Sequence, residues 1–138
     1  MYPIEIVELH KSYGDVKALQ GLSFSVESGE IYGLLGPNGA GKTTTLKILV
    51  GLLKPDRGTA KIYGYDVVSD RVKALSFVGY IPENPVAFQN LTVKELLEFI
   101  GSLRGIPKDE VYDAMEYYLD IFNLKGKQNE LISSLSRG

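Results

Sequence analysis

Cysteine is absent from all 138 residues. That excludes a disulfide framework and thiolate chemistry, and it fits a cytosolic setting. Positive charge is not in excess either, since 15 Lys and Arg stand against 17 Asp and Glu, for a net charge of −2. The overall basic field that draws nucleic acid or anionic lipid is therefore missing, and no nucleic-acid partner is expected. No apolar run approaches the roughly 20 residues needed to cross a bilayer. The start, Met1-Tyr2-Pro3-Ile4-Glu5, lacks the basic and apolar regions of a secretory leader. Any membrane connection is expected to run through a partner. What remains, 44% hydrophobic and 23% charged residues, describes a folded chain long enough for one domain with a core and too short for two ordinary ones.

The most informative segment is Gly36-Pro37-Asn38-Gly39-Ala40-Gly41-Lys42-Thr43, a complete G-x-x-x-x-G-K-[ST] pattern. It follows an apolar run, Ile31-Tyr32-Gly33-Leu34-Leu35, and precedes a helix-like run at 44–53, the strand-to-helix setting in which such a loop works. Glycines let the backbone curl so that amide N–H groups converge on phosphate oxygens, and the helix that follows aims its positive dipole end at the same anion. Lys42 is expected to bridge the outer phosphates and the Thr43 hydroxyl to hold Mg²⁺. Gly-rich turns are common, but here all four fixed positions match. The reading is a site for a nucleoside triphosphate.

Around this loop the periodicities predict an α/β chain. Ile4-Glu5-Ile6-Val7-Glu8-Leu9 reads as a strand, Tyr13-Gly14-Asp15 as a turn, 16–19 as a second strand, and Leu22-Ser23-Phe24-Ser25-Val26 as a half-buried strand. The segment 31–35 reads as a strand buried on both faces. Lys54-Pro55-Asp56-Arg57-Gly58 is a turn, 59–64 a short strand, 70–75 a brief helix and 77–81 another strand. Beyond a polar loop at 83–90, Thr92 and Glu95 form a capping box that opens a helix with apolar Leu96, Leu97, Phe99, Ile100 and Leu103. A further helix starts near Lys108, after Pro107, with Val111, Met115, Tyr118, Leu119 and Phe122 at helical spacing, and the apolar stripes of both helices read as packing surface. His10, the only histidine, reads as a strand-end residue.

With the loop placed, the chain resembles the nucleotide-binding subunit of ATP-binding-cassette (ABC) transporters over essentially its whole length. Four landmarks recur in order: Lys11-Ser12-Tyr13-Gly14, similar to the family's aromatic adenine platform; the loop at 36–44; Val78-Gly79-Tyr80-Ile81-Pro82-Glu83 at the Q-loop position, followed by Leu91-Thr92-Val93-Lys94-Glu95; and Leu135-Ser136-Arg137-Gly138, like the opening of the L-S-G-G-Q signature. The resemblance implies a P-loop NTPase fold with an incomplete RecA-like core, an N-terminal antiparallel β subdomain and an α-helical subdomain, divided into 1–82 and 83–138. It implies ATP and Mg²⁺ as ligands. Tyr13 would stack on adenine, Val16 would close the ribose side, and Thr44 would add an α-phosphate contact beside Gly36, Pro37, Asn38, Gly39, Ala40, Gly41, Lys42 and Thr43. Ser136 and Gly138 would reach the γ-phosphate held by a second ATP-binding subunit, so that ATP is sandwiched between two copies. A transmembrane permease would dock at 83–103 and hold the subunit peripherally on the cytoplasmic face of the membrane.

Two departures qualify these implications. Glu83 stands where the family usually has Gln; its carboxylate can still ligate Mg²⁺ directly or through water, and this choice, like Arg137 in the signature, leans toward exporter-like branches. The water-activating half of the family pattern is also not found. No apolar strand ending in Asp follows the P-loop, since Tyr117-Tyr118-Leu119-Asp120 lies in a helical stripe with Asp120 as a surface charge. Phosphoryl transfer needs charge stabilisation at both nucleophile and leaving group, so residues 1–138 alone are expected to bind nucleotide and turn it over weakly or not at all. In the family, strands that follow the signature lie between 31–35 and 77–81, so the natural chain is expected to continue beyond Gly138. Two alternatives stay open: a non-transporter ABC ATPase, and another P-loop protein such as a kinase. The absence of D-x-x-G and N-K-x-D leaves a GTPase without a basis for guanine recognition.

Overall fold

The computed structural model describes residues 1–83 and 88–135. They fall into two compact units, Met1–Ile81 and Pro82–Gly138, and each is treated by itself.

The first unit is built on a four-stranded antiparallel sheet in the order β2-β1-β3-β4, with β1 at Ile4–Tyr13, β2 at Val16–Val26, β3 at Arg57–Ile62 and β4 at Tyr65–Asp66. β1 pairs with β2 from Ile4↔Val26 to Tyr13↔Val16, and with β3 from Ile4↔Ile62 to His10↔Arg57. The separate strands expected at 16–19 and 22–26 are one element, because β2 stays on the β1 ladder and absorbs its register shifts in bulges. Helix α1, Lys42–Leu49, buries Thr45, Ile48 and Leu49, the i, i+3, i+4 stripe of an amphipathic helix. Ile48 and Leu49 pack with Ile6, Leu9, Leu19, Ala60, Ile62 and Val67 into one core. A short helix α2, Arg71–Ser76, adds Ala74.

Two sequence expectations fail in this unit. Residues 31–35 and 77–81 form no strand. Ile31 is 100% exposed, Leu35 92% and Ile81 90%, whereas the reading at 31–35 was of a strand buried on both faces. A strand inside a parallel sheet has to share its N–H and C=O groups with neighbours on both sides. Among the described residues no such neighbour flanks either segment, so β propensity there has no ladder to join. Tyr32 is instead held by a parallel stack on Phe24, with ring centres 4.8 Å apart. Helix α1 also ends four residues earlier than the pattern at 44–53 suggested.

The second unit is helical. Helix α3, Val93–Leu103, begins with the capping box as expected: the Glu95 N–H donates to Thr92 Oγ1 at 3.2 Å, and the Thr92 N–H donates to a Glu95 carboxylate oxygen at 2.8 Å. Helix α4, Lys108–Ile121, starts after Pro107 with Asp109 and Glu110 in its first turn. Val111, Met115 and Leu119 pack with Val93 and Leu97, while Phe99, Ile100 and Leu103 of α3 and Tyr118 and Phe122 of the second stripe, all expected as packing surface, are exposed. Phe122 caps the helix one residue past its end at Ile121. Close approach of the two helices depends on Gly101, where a Cβ would come within 2.4 Å of Val111 Cγ2. A bridge between Thr92 and Leu131 and a 3₁₀ turn at Ile132–Ser134 close the unit. Asp120, expected as a surface charge, is exposed on α4 and pairs with Lys125 Nζ at 3.3 Å.

Candidate phosphate-binding site

The loop at 36–41 emerges from the exposed segment 31–35 and enters α1 at Lys42. Gly39 and Gly41 both take left-handed conformations, at φ +85° and +87°, which L side chains adopt only at a cost. Gly41 has a second reason to be glycine. A Cβ there would stand 2.5 Å from the Ala18 carbonyl oxygen and 2.6 Å from Leu19 Cδ2. The loop is thus pressed against β2, which supplies a rigid back wall that periodicity could not reveal.

From Gly41 the chain turns directly into helix. The Thr45 N–H donates to the Gly41 carbonyl at 2.8 Å, and the fully buried Thr45 hydroxyl donates to the same oxygen at 2.9 Å. No side chain caps the start of α1. Its first N–H groups, which have no carbonyl partner within the helix, are available to an anion in front of the helix.

Lys42 crosses the loop from inside. Its ammonium donates to the carbonyl oxygens of Gly36 at 2.6 Å and Pro37 at 2.7 Å, tying the first turn of the loop to the first residue of α1. This places a half-buried cation at the start of α1, followed by the exposed Thr43 and by Thr44. Thr43 offers a hard oxygen of the kind Mg²⁺ accepts, so its chemistry fits the metal. Among the described residues no cluster of three His, Asp or Glu groups could hold a metal by itself.

Tyr13 and Val16 face each other across the tip of the β1–β2 hairpin in the same unit and stand open to solvent, Tyr13 at 48%. A polar anchor that sequence reading missed holds β1 just below the tip of this hairpin. Asp56 accepts from Lys11 Nζ and from the Ser12 N–H, both at 2.7 Å. These bonds hold the Asp56 carboxyl below the usual carboxylate range, Lys11 first and the Ser12 amide second. Asp56 was visible in sequence only as part of a turn. Glu83 is an exposed residue of the second unit. Ser136 and Gly138 lie outside the described residues, as does the middle of the loop read at 83–90, residues 84–87.

No helix of the described residues is long and apolar enough to cross a membrane. The chain is 40% identical over 136 residues to the Nod factor export ATP-binding protein I of Burkholderia lata, covering 99% of this chain and 45% of that protein. It is 37% identical over 135 residues to the bacitracin transport ATP-binding protein BcrA of Bacillus licheniformis, covering 98% of this chain and 43% of that one. The chain therefore spans less than half the length of these curated relatives. A solved ATP-binding subunit of an ABC transporter superposes with a TM-score of 0.87 at 32% identity, over 96% of this chain and 55% of its own. The fold alone is shared with cbiO1 of Clostridium perfringens, at a TM-score of 0.81 and 24% identity over 98% of this chain and 56% of that one. The architecture is that of the α/β P-loop ATPases with an antiparallel β subdomain and helices. The family described as ABC transporter matches residues 19–138, and the chain belongs to that family.

Proposed function

We propose that this chain is the nucleotide-binding part of an ATP-driven motor subunit of a membrane transporter, with export the favoured direction. The observation that carries the reading is the loop at 36–41, wedged against β2 by Gly41 and spanned by the Lys42 ammonium. A triphosphate would lie along the amides of Gly39, Ala40, Gly41, Lys42 and Thr43, with Asn38 at the rim. Lys42 would exchange part of its bonding to Gly36 and Pro37 for the outer phosphates. Mg²⁺, when bound, neutralises phosphate charge; Thr43 would hold it. Adenine would stack on Tyr13, with Val16 against the ribose and Thr44 near the α-phosphate.

Two copies of the subunit would sandwich ATP, Ser136 and Gly138 of one copy approaching the γ-phosphate held by the other. Binding then favours the closed pair and hydrolysis releases it. A permease would hold the subunit on the cytoplasmic face of the membrane by a helix docked at 83–103, where Phe99, Ile100 and Leu103 are exposed. Residues 36–44 would supply the phosphate cradle, and ATP hydrolysis would belong to the whole protein. The printed name of one relative, a Nod factor export protein, supports the direction of transport.

The test is titration with Mg-ATP and Mg-GTP. Saturable Mg-ATP binding that is lost in Lys42→Ala and weakened about tenfold in Tyr13→Ala is the expected result. A correctly folded protein that binds no Mg-nucleotide would remove the motor reading.

A further inference from the structure

Strand β1 loses one of its two neighbours before it reaches its end. Its pairing with β3 stops at His10↔Arg57, while its pairing with β2 runs on to Ser12↔Lys17 and Tyr13↔Val16 through a register shift between Lys11 and Ser12. The last residues of β1 are therefore part of a two-stranded ribbon, a form of sheet that is marginal alone and twists more than a wider one. Packing does not hold this ribbon either. Val16 is 67% exposed, and a cavity of about 570 Å³ opens beside Ser12, Lys17 and Asp56.

Asp56 takes the place of the missing strand. Its N–H donates to the His10 carbonyl at 2.9 Å, one carboxylate oxygen accepts from the Lys11 ammonium and the other from the Ser12 N–H, both at 2.7 Å. Main chain and side chain together continue the ladder past the start of β3. The Lys11 side chain is only 15% exposed, so its charge is costly to leave without the carboxylate. Tyr13 follows Ser12 directly. Val16, opposite Tyr13, lies two residues before Ala18, against whose carbonyl Gly41 is wedged. Strand β2 thus sets the span from the phosphate loop to the hairpin tip, about 7 Å along the strand, and Asp56 is the polar group that restrains the tip from the other side.

We propose that Asp56 is a positioning residue for the nucleotide base: by holding Lys11 and Ser12 it sets the tilt of the Tyr13 ring towards a nucleotide seated in the loop at 36–41, and it touches no ligand itself. The inference rests on the nucleotide-binding reading and adds a residue to it. Positioning of this kind acts on the nucleoside and not on the phosphates. Without the Asp56 carboxylate the loop, wedged on Ala18 and Leu19, keeps its grip on phosphate, while the stacking gained on Tyr13 is offset by the ordering of a loose tip. A residue that only stabilises the fold would instead weaken every ligand alike.

The experiment titrates two ligands, Mg-ATP and Mg-tripolyphosphate, the second offering the phosphates without the nucleoside. They are added to the unsubstituted protein, Asp56→Asn, Asp56→Ala, Tyr13→Ala and the Tyr13→Ala/Asp56→Asn double variant, with the fold of each sample checked by circular dichroism. Asp56→Asn keeps the shape of the side chain and removes the charge that holds Lys11, so the test does not depend on Asp56→Ala folding. Mg-ATP is expected to weaken about threefold in Asp56→Asn and roughly tenfold in Asp56→Ala, with Mg-tripolyphosphate held within about twofold in both. The double variant is expected to bind Mg-ATP no more weakly than Tyr13→Ala, because the tilt of a ring matters only while the ring is there. Equal losses for the two ligands in the Asp56 variants, an unchanged affinity for Mg-ATP, or losses that multiply in the double variant would overturn the inference. If the unsubstituted protein binds Mg-tripolyphosphate as tightly as Mg-ATP, the nucleoside contributes nothing and the inference fails while the phosphate loop stands; if it binds neither, the nucleotide-binding reading fails with it.

Discussion

Two glycines in one loop make different claims that substitution can separate. Gly41 combines a left-handed backbone with a wall of β2 atoms at 2.5 and 2.6 Å from any Cβ, whereas Gly39 shares the backbone conformation but faces open space. Gly39→Ala is expected to cost about 1 kcal/mol in chemical denaturation, the left-handed penalty alone. Gly41→Ala should cost at least about 2 kcal/mol and abolish Mg-ATP binding, because the loop must move off β2 to admit the methyl. Equal costs in the two variants would mean that β2 is not a rigid support. The loop residues themselves were legible in sequence, since backbone curl, cation and hydroxyl occupy fixed spacings. The support behind them was not, because Ala18 and Leu19 are ordinary strand residues until the fold sets them against Gly41.

At the level of elements, the start of α3 and its crossing with α4 are the points most open to test. Removing the Thr92 hydroxyl in Thr92→Ala takes away the acceptor for the Glu95 N–H and is expected to lower the stability of the second unit by about 1 kcal/mol. Glu95 gives this cap a pH dependence. Its carboxylate accepts from the Thr92 N–H first and from the Thr92 hydroxyl second, and both lower its pKa below the ordinary glutamate value. A lowered folded-state pKa means that the contribution is complete above the ordinary range and is lost as pH falls through the lower value. Acid unfolding followed by helical circular dichroism should therefore begin at a higher pH in Thr92→Val than in the unsubstituted protein. In Gly101→Ala the new methyl meets Val111 at 2.4 Å, and a loss of about 1–3 kcal/mol is expected as α3 and α4 are forced apart. The capping box was readable because both of its bonds join residues three apart. The Gly101 contact was not, since it depends on which turn of α4 lies opposite.

For the whole molecule, ligand binding should act unevenly on the two units. Mg-ATP at about 100 times its Kd would stabilise whatever it binds by about 2.7 kcal/mol. Hydrogen exchange is expected to slow in α1 and in the β1–β2 hairpin, with α3 and α4 largely unaffected. Uniform protection across both units would show that the loop at 36–41 is not the seat of binding. The sequence alone determined the phosphate loop, the helix starts at Thr92 and Pro107, the alternation of β1, and the resemblance that the family match bears out. Each of these is written in contacts between residues a few positions apart. Tertiary structure decided the rest. Residues 31–35 and 77–81 have the composition of buried strands yet form none here, because a strand exists only where neighbours complete its ladder. Tyr118 and Phe122 keep the helical period of Met115 but stay exposed, because burial depends on what lies opposite a stripe and not on the stripe itself.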